Sequence, residues 1–223
     1  MRDEEVIRVN MEHDYLEQIR DYNVRQALPV AEKAALLVID VQEYFRTMVE
    51  PIMKNLLALI ETGREKGVKI FFTRHGHFQP DKDGGMLGKW WGDLIEYGSP
   101  EWELLGELNP SEKEPVIDKN RYSAFFNTDL DDRLRGLGIE DLIICGVMTN
   151  CCCETTARDA FVRDYRVFFA ADATATANRE LHLASLKNLA FGFAHIVNTV
   201  QICRHFGKSV ELSPDSQKYS EDK

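Results

Sequence analysis

Nowhere does the sequence hold a run of about 18 apolar residues, so no segment reads as a membrane-spanning helix. Clustered basic residues are also missing: 27 Lys and Arg against 37 Asp and Glu give a formal net charge of −10. That balance argues against nucleic acid or an anionic membrane as a main partner, because both reward concentrated positive charge. No apolar targeting core follows the first residues, since "MRDEEVIRVNMEHDYLEQIRDYN" is too charged for one. No internal repeat or low-complexity block occurs, and "GLG" at Gly136–Gly138 is a helix cap rather than a dinucleotide fingerprint. Cysteine is scarce and oddly placed. The five (Cys145, Cys151, Cys152, Cys153 and Cys203) are an odd number, three of them contiguous. They suit neither a disulfide framework nor metal-finger spacing, and point to a reducing, cytoplasmic setting.

What is present is an alternation. "AALLVID" (Ala34–Asp40) is a continuous apolar run, the pattern of a strand buried on both faces. "PIMKNLLALIETGREKG" carries an apolar helical face at Ile52, Leu56, Leu59 and Ile60 and closes on Gly67. "VKIFFTRH", "PVIDKNR", "DLIICGV", "RVFFAAD" and "AHIVNT" read as further strands. Helices are predicted over "DLDDRLRGLG", from about Cys152 to Asp164, and around Glu180–Phe191. This spacing predicts an α/β fold: a single domain of three layers, α/β/α, around a mainly parallel, Rossmann-like sheet of six strands. Residues 1–33 read as an N-terminal arm with a helix near Asp14–Tyr22, 34–206 as the domain, and 207–223 as a polar tail prone to fraying.

Parallel sheets place their sites beyond the carboxyl ends of the strands. Asp40, His75, Lys119 and the cysteine run stand there. Asp40 is either a loop-ordering carboxylate or a general base. Lys119 is either a solvated lysine or a cation pointing inward beside a thiol. The cysteines follow a strand end, where "TN" at Thr149–Asn150 can cap the next helix and its N-terminus favours a thiolate. His75 and His77 lie on one side of a strand, which permits metal ligation, but no third ligand is evident. The long connection from Gly76 to Pro115 holds "GGMLGKWWGD", whose Trp90 and Trp91 either pack down on the domain or offer a flat wall to a substrate.

"LLVIDVQEYF", and then "DKNRYSAFFNTDLDDRLRGLGIEDLIICGVMTNCCCETTARDAFVRDYRVFFAADATAT", resemble the isochorismatase-like cysteine hydrolase superfamily. It includes nicotinamidases, N-carbamoylsarcosine amidases and ureidoacrylate amidohydrolases. "TRH", "GMLGKWWGD" and "CCETTARDAFV" look closest to plant-type nicotinamidase-like members. The resemblance spans about Ala34 to Thr199. It implies a triad of Asp40, Lys119 and Cys152, and a cis peptide at Val147–Met148 that shapes an oxyanion hole with the Cys152 amide. It also implies a homo-oligomer. Metal-dependent nicotinamidases carry Asp-x-His soon after the first strand, whereas "VQEYFRTMVEPIM" has neither Asp nor His.

The expected activity is therefore hydrolysis of the C–N bond of a small amide, carbamoyl or ureido compound through a thioester, with no metal and no organic cofactor. Phe45, His75, Trp90 and Trp91 are the expected substrate contacts. The alternatives are a metal-dependent nicotinamidase and a non-catalytic binding member of the same fold. Adjacent helical residues lie about 100° apart, so the three thiols cannot share one pocket. Cys153 begins an apolar stripe with Ala157, Ala160 and Phe161, and Cys151 points elsewhere in the turn, which leaves Cys152 as the nucleophile.

Overall fold

The computed structural model describes residues 7–9 and 15–212. Among these the strands are β1 (Ile7–Val9), β2 (Ala34–Ile39), β3 (Lys69–His75), β4 (Val116–Lys119), β5 (Asp141–Val147), β6 (Arg166–Ala175), β7 (His195–Val197) and β8 (Val210–Leu212). The helices are α1 (Tyr15–Gln18), α2 (Arg46–Val49), α3 (Met53–Lys66), α4 (Pro80–Asp83), α5 (Gly85–Trp91), α6 (Leu130–Gly136), α7 (Glu154–Val162), α8 (Arg179–Gly192) and α9 (Thr199–His205). Six strands form one sheet in the order β4-β3-β2-β5-β6-β7, and every pairing is parallel.

The layering follows from β2. It is apolar and buried at all six positions, and successive side chains of a strand point to opposite faces. Ala34, Leu36 and Val38 therefore join one core with Leu56, Leu59 and Ile60 of α3 and Ile202 of α9. Ala35, Leu37 and Ile39 join the other, with Leu134 of α6, Ala157 of α7 and Leu186 and Leu189 of α8. The result is the predicted single three-layer domain.

From β2 the chain builds outward through β3 and β4, then returns to the opposite side of β2 with β5. The connections leaving β2 and β5 diverge, and a crevice opens beyond their carboxyl ends. Gly146 makes the close approach possible. Its φ is 112°, and a Cβ there would overlap the Ile39 carbonyl of the neighbouring strand.

Several details differ from the sequence reading. The helix expected from Cys152 begins at Glu154, and a π-helical turn, Thr149–Cys153, precedes it. Phe161 leaves the expected stripe: it is 46% exposed and packs edge-on against Phe193, the residue just past α8. Its stripe partners Cys153, Ala157 and Ala160 are fully buried, since only small residues fit where α7 lies against the sheet. The Gly76–Pro115 connection is not wholly irregular but carries α4 and α5. In the tail, Val210–Leu212 pair with Ile7–Val9 in parallel rather than fray; 213–223 and Asp14 lie outside the described residues. No helix among the described residues is long and apolar enough to cross a membrane.

Candidate active site

Asp40 follows β2 with a φ of 50°, which turns its side chain into the crevice. Thr73 of β3 donates its hydroxyl to Asp40 Oδ1 at 2.6 Å and accepts the Asp40 backbone N–H at 3.1 Å. Lys119, the last residue of β4, donates Nζ to Asp40 Oδ2 at 2.6 Å and to the Arg121 carbonyl at 3.1 Å. Neither side chain of this ion pair reaches solvent. Burial works against the Lys119 ammonium, but the charge and hydrogen bond of Asp40 outweigh it and hold its pKa above the usual range.

Cys152 couples to both members of the pair. Burial pushes its thiol far above the usual thiol range; Lys119 pulls it down and Asp40 pushes it up again. The helix-stabilised thiolate expected from sequence is thus not the resting form. The thiol keeps its proton because burial and the carboxylate together outweigh the lysine. Cys153 is buried in the core. Cys151, expected to point away, lines the same cavity as Cys152. The wider π-helical turn accounts for this, because it breaks the regular rotation between adjacent residues. All five cysteines are free.

Thr149 and Asn150 do not cap the helix as expected. The Thr149 hydroxyl pairs with His182 Nδ1 at 2.9 Å, and Asn150 Oδ1 accepts from Thr176 at 2.5 Å, so both pin the turn to neighbouring elements. The Val147–Met148 peptide is cis. The amides of Cys151 and Cys153 both donate to the Met148 carbonyl at 3.1 Å and are spent there, so neither is an oxyanion donor.

The cavity above Cys152 has a volume of about 390 Å³. Phe45, His75, Trp91 and Met148 line it, as do Tyr44, Met48, Asp93 and Tyr122. Trp90 does not. It is 76% exposed because the short α5 turns successive side chains about 100° apart, sending Trp91 inward and Trp90 outward. Val147 is buried in the core rather than in the cavity wall. His75 lies at the cavity with its pKa lowered to about 3, by burial first and by the Lys119 charge second, so it is neutral at physiological pH. His77 is turned to Asp83, with Nδ1 3.1 Å from a carboxylate oxygen. Among the described residues no group of three or more His, Cys, Asp or Glu is placed to hold a metal ion. His75 shares the cavity wall with the apolar side chains of Phe45 and Met48, so the donors present do not fit a bound metal.

Sequence reasoning missed Thr73, Gln42, Tyr44, Asp93 and Tyr122. Thr73 had a signal, since alternation along "FFTRH" puts it on the same face as His75. Gln42 is fully buried and links the site to its surroundings: its Nε2 donates to the carbonyls of His75 and Trp102 at 3.0 and 2.8 Å, and its Oε1 accepts from the His75 amide at 2.8 Å. The other three come from a single 3-10 turn, Glu43–Phe45, and from loops, whose approach only the tertiary fold sets.

A buried carboxylate, lysine and thiol gathered at the switch point of a parallel sheet define a hydrolase class, and residues 34–201 match the isochorismatase domain. The chain belongs to the isochorismatase family of hydrolases. It is 48% identical over 188 residues to Nicotinamidase 3 of Arabidopsis thaliana, covering 83% of this chain and 94% of that one. Among solved structures, a cysteine hydrolase from Pseudomonas syringae pv. phaseolicola 1448A aligns with a TM-score of 0.78 at 26% identity, over 81% of this chain and 95% of the other. N-carbamoylsarcosine amidase from Thermoplasma acidophilum aligns with a TM-score of 0.67, also at 26% identity, over 75% and 96% respectively.

Proposed function

We propose that the protein is a metal-independent cysteine amidohydrolase that hydrolyses a small planar carboxamide through a thioester, with Asp40, Lys119 and Cys152 as its catalytic residues. The observation that carries this reading is the solvent-free Asp40–Lys119 pair together with a buried Cys152 thiol at the base of an aromatic-walled cavity. A thiol that keeps its proton at rest needs a base at the moment of attack, and Asp40 is the carboxylate in place. It takes the proton as Sγ bonds the carbonyl carbon, then passes it to the departing nitrogen. Lys119 holds the Asp40 carboxylate in position and stabilises negative charge as it develops. Water activated by Asp40 cleaves the thioester and restores the thiol. The cis Val147–Met148 peptide and the Cys152 amide supply the oxyanion hole in this reading.

A ring carboxamide of the nicotinamide type is the first substrate to try. The wall offers flat rings at Phe45, Trp91 and Tyr122, and the Arabidopsis relative is named a nicotinamidase. Carbamoyl and ureido compounds form the comparison set.

Ammonia release from pyridine-3-carboxamide and from a panel of small amides and ureido compounds tests the reading. Full activity is expected to persist in EDTA, an acyl adduct to map to Cys152, and Cys152→Ala to release no ammonia. Loss of activity in EDTA with recovery on added zinc or iron overturns the metal-independent reading. An active Cys152→Ala overturns the nucleophile.

A further inference from the structure

The cavity wall is aromatic and carries one charge, a negative one. Asp93 is the sole charged side chain among the lining residues; no Lys or Arg reaches the wall. The nearby cations are already engaged. Lys119 is paired with Asp40, and the Arg121 guanidinium donates to the carbonyls of Asp83 and Asn120 at 2.9 and 2.6 Å.

Two hydrogen bonds fix the rings around this charge. Tyr44 donates its hydroxyl to Asp93 Oδ2 at 3.1 Å, and Trp91 Nε1 donates to the Tyr122 hydroxyl oxygen at 2.8 Å. Tyr44 and Phe45 stand edge to face, with centroids 4.9 Å apart. Aromatic faces carry negative electrostatic potential and attract delocalised cations, and a carboxylate beside them adds to the attraction. An anionic group finds no partner here.

We infer that this cavity accepts, as a further substrate class, permanently cationic heteroaromatic carboxamides such as N-alkylated pyridinium carboxamides, with the Tyr44, Phe45 and Trp91 rings and the Asp93 carboxylate holding the cation. The inference rests on the amidohydrolase reading above. Alkylating the ring nitrogen removes its lone pair, which matters only where something must bind that lone pair, and among the described residues no group of three or more His, Cys, Asp or Glu is placed to hold a metal that could. The neutral His75 adds no opposing charge. The cationic ring also withdraws electrons from the carbonyl, which favours attack by the thiol. Cys152 Sγ bonds the carbonyl carbon, the C–N bond breaks and ammonia leaves with the thiol proton. Water then cleaves the thioester, restoring the thiol and releasing a zwitterionic pyridinium carboxylate. The ring charge is unchanged throughout.

The test compares pyridine-3-carboxamide with its N1-methyl cation in two ways: ammonia release by the wild-type protein, and binding to Cys152→Ala followed by tryptophan fluorescence. The cation is expected to release ammonia and to bind about tenfold more tightly than the neutral amide. Asp93→Asn removes about that preference, and Asp93→Glu retains most of it. If the neutral amide is hydrolysed but the cation is neither bound nor hydrolysed, this inference falls and the amidohydrolase reading stands. Cation bound without ammonia release, while the neutral amide turns over, overturns it as a substrate. If neither compound releases ammonia, the reading of function fails, and equal or weaker binding of the cation by Cys152→Ala then overturns the cation site as well.

Discussion

Lys119 is held between a carboxylate at 2.6 Å and a carbonyl at 3.1 Å, with no path to water. Replacing it by Met leaves the Asp40 charge buried with only the Thr73 hydroxyl and any local rearrangement to compensate. Breaking a buried pair in this way costs about 3–5 kcal/mol, so Lys119→Met is expected to lose both turnover and stability. Urea unfolding reads this deficit, and a variant as stable as the wild type would show that Asp40 finds another partner. Strand-end placement made "VID", "DKN" and "TNCC" candidates, and the family resemblance, not the spacing, implied that Asp40, Lys119 and Cys152 act together. Tyr44, Asp93 and Tyr122 were not legible, because a residue in a single turn or a loop carries no periodicity to say which way it faces.

The close contact between β2 and β5 depends on one residue without a side chain. Gly146 sits at a φ of 112° where a Cβ would meet Ile39 backbone atoms, and backbone cannot rotate aside as a side chain can. Gly146→Ala is expected to cost more than about 3 kcal/mol, read as a fall in thermal midpoint of about 10 °C. A change of one or two degrees would show that the strands separate at little cost. The apolar strands and the Ala face of α7 were readable from periodicity, since burial on both sides leaves no other pattern. The π-helical turn was not: it is closed by bonds from Cys151 and Cys153 to Met148 and braced from outside by His182 and Thr176.

For the molecule as a whole, Asp172 makes stability depend on pH. Its Oδ1 accepts the amide and hydroxyl of Thr199 at 2.8 and 2.9 Å, tying β6 to the start of α9. Its Oδ2 is shut away from solvent with no hydrogen-bond partner. Burial raises its pKa to about 6, against the pull of the two Thr199 bonds. A carboxyl with a raised folded-state pKa contributes stability below its unfolded pKa, near 4, and loses it as pH rises through about 6. Asp172→Asn keeps an oxygen for Thr199 and never ionises. Its stability relative to wild type is therefore expected to improve between pH 4 and pH 7, measured by denaturant midpoints across that range. A pH-independent difference would show that the Asp172 carboxyl is not destabilised by burial.

By itself the sequence determined the layer count, the six-stranded parallel sheet and the strand ends from which chemistry departs. Those features follow from which residues must leave water and at what period. It also indicated the absence of a His and Asp ligand set after the first strand, since a missing residue type needs no fold to be seen. Only the tertiary structure decided what surrounds the thiol. It buried Cys152 until the thiol holds its proton, brought Cys151 into the same cavity and turned Trp90 out and Trp91 in. It also set one carboxylate and no cation against the aromatic wall. Those outcomes depend on how loops far apart in sequence meet across the crevice, and burial and electrostatics are properties of that meeting rather than of any residue alone.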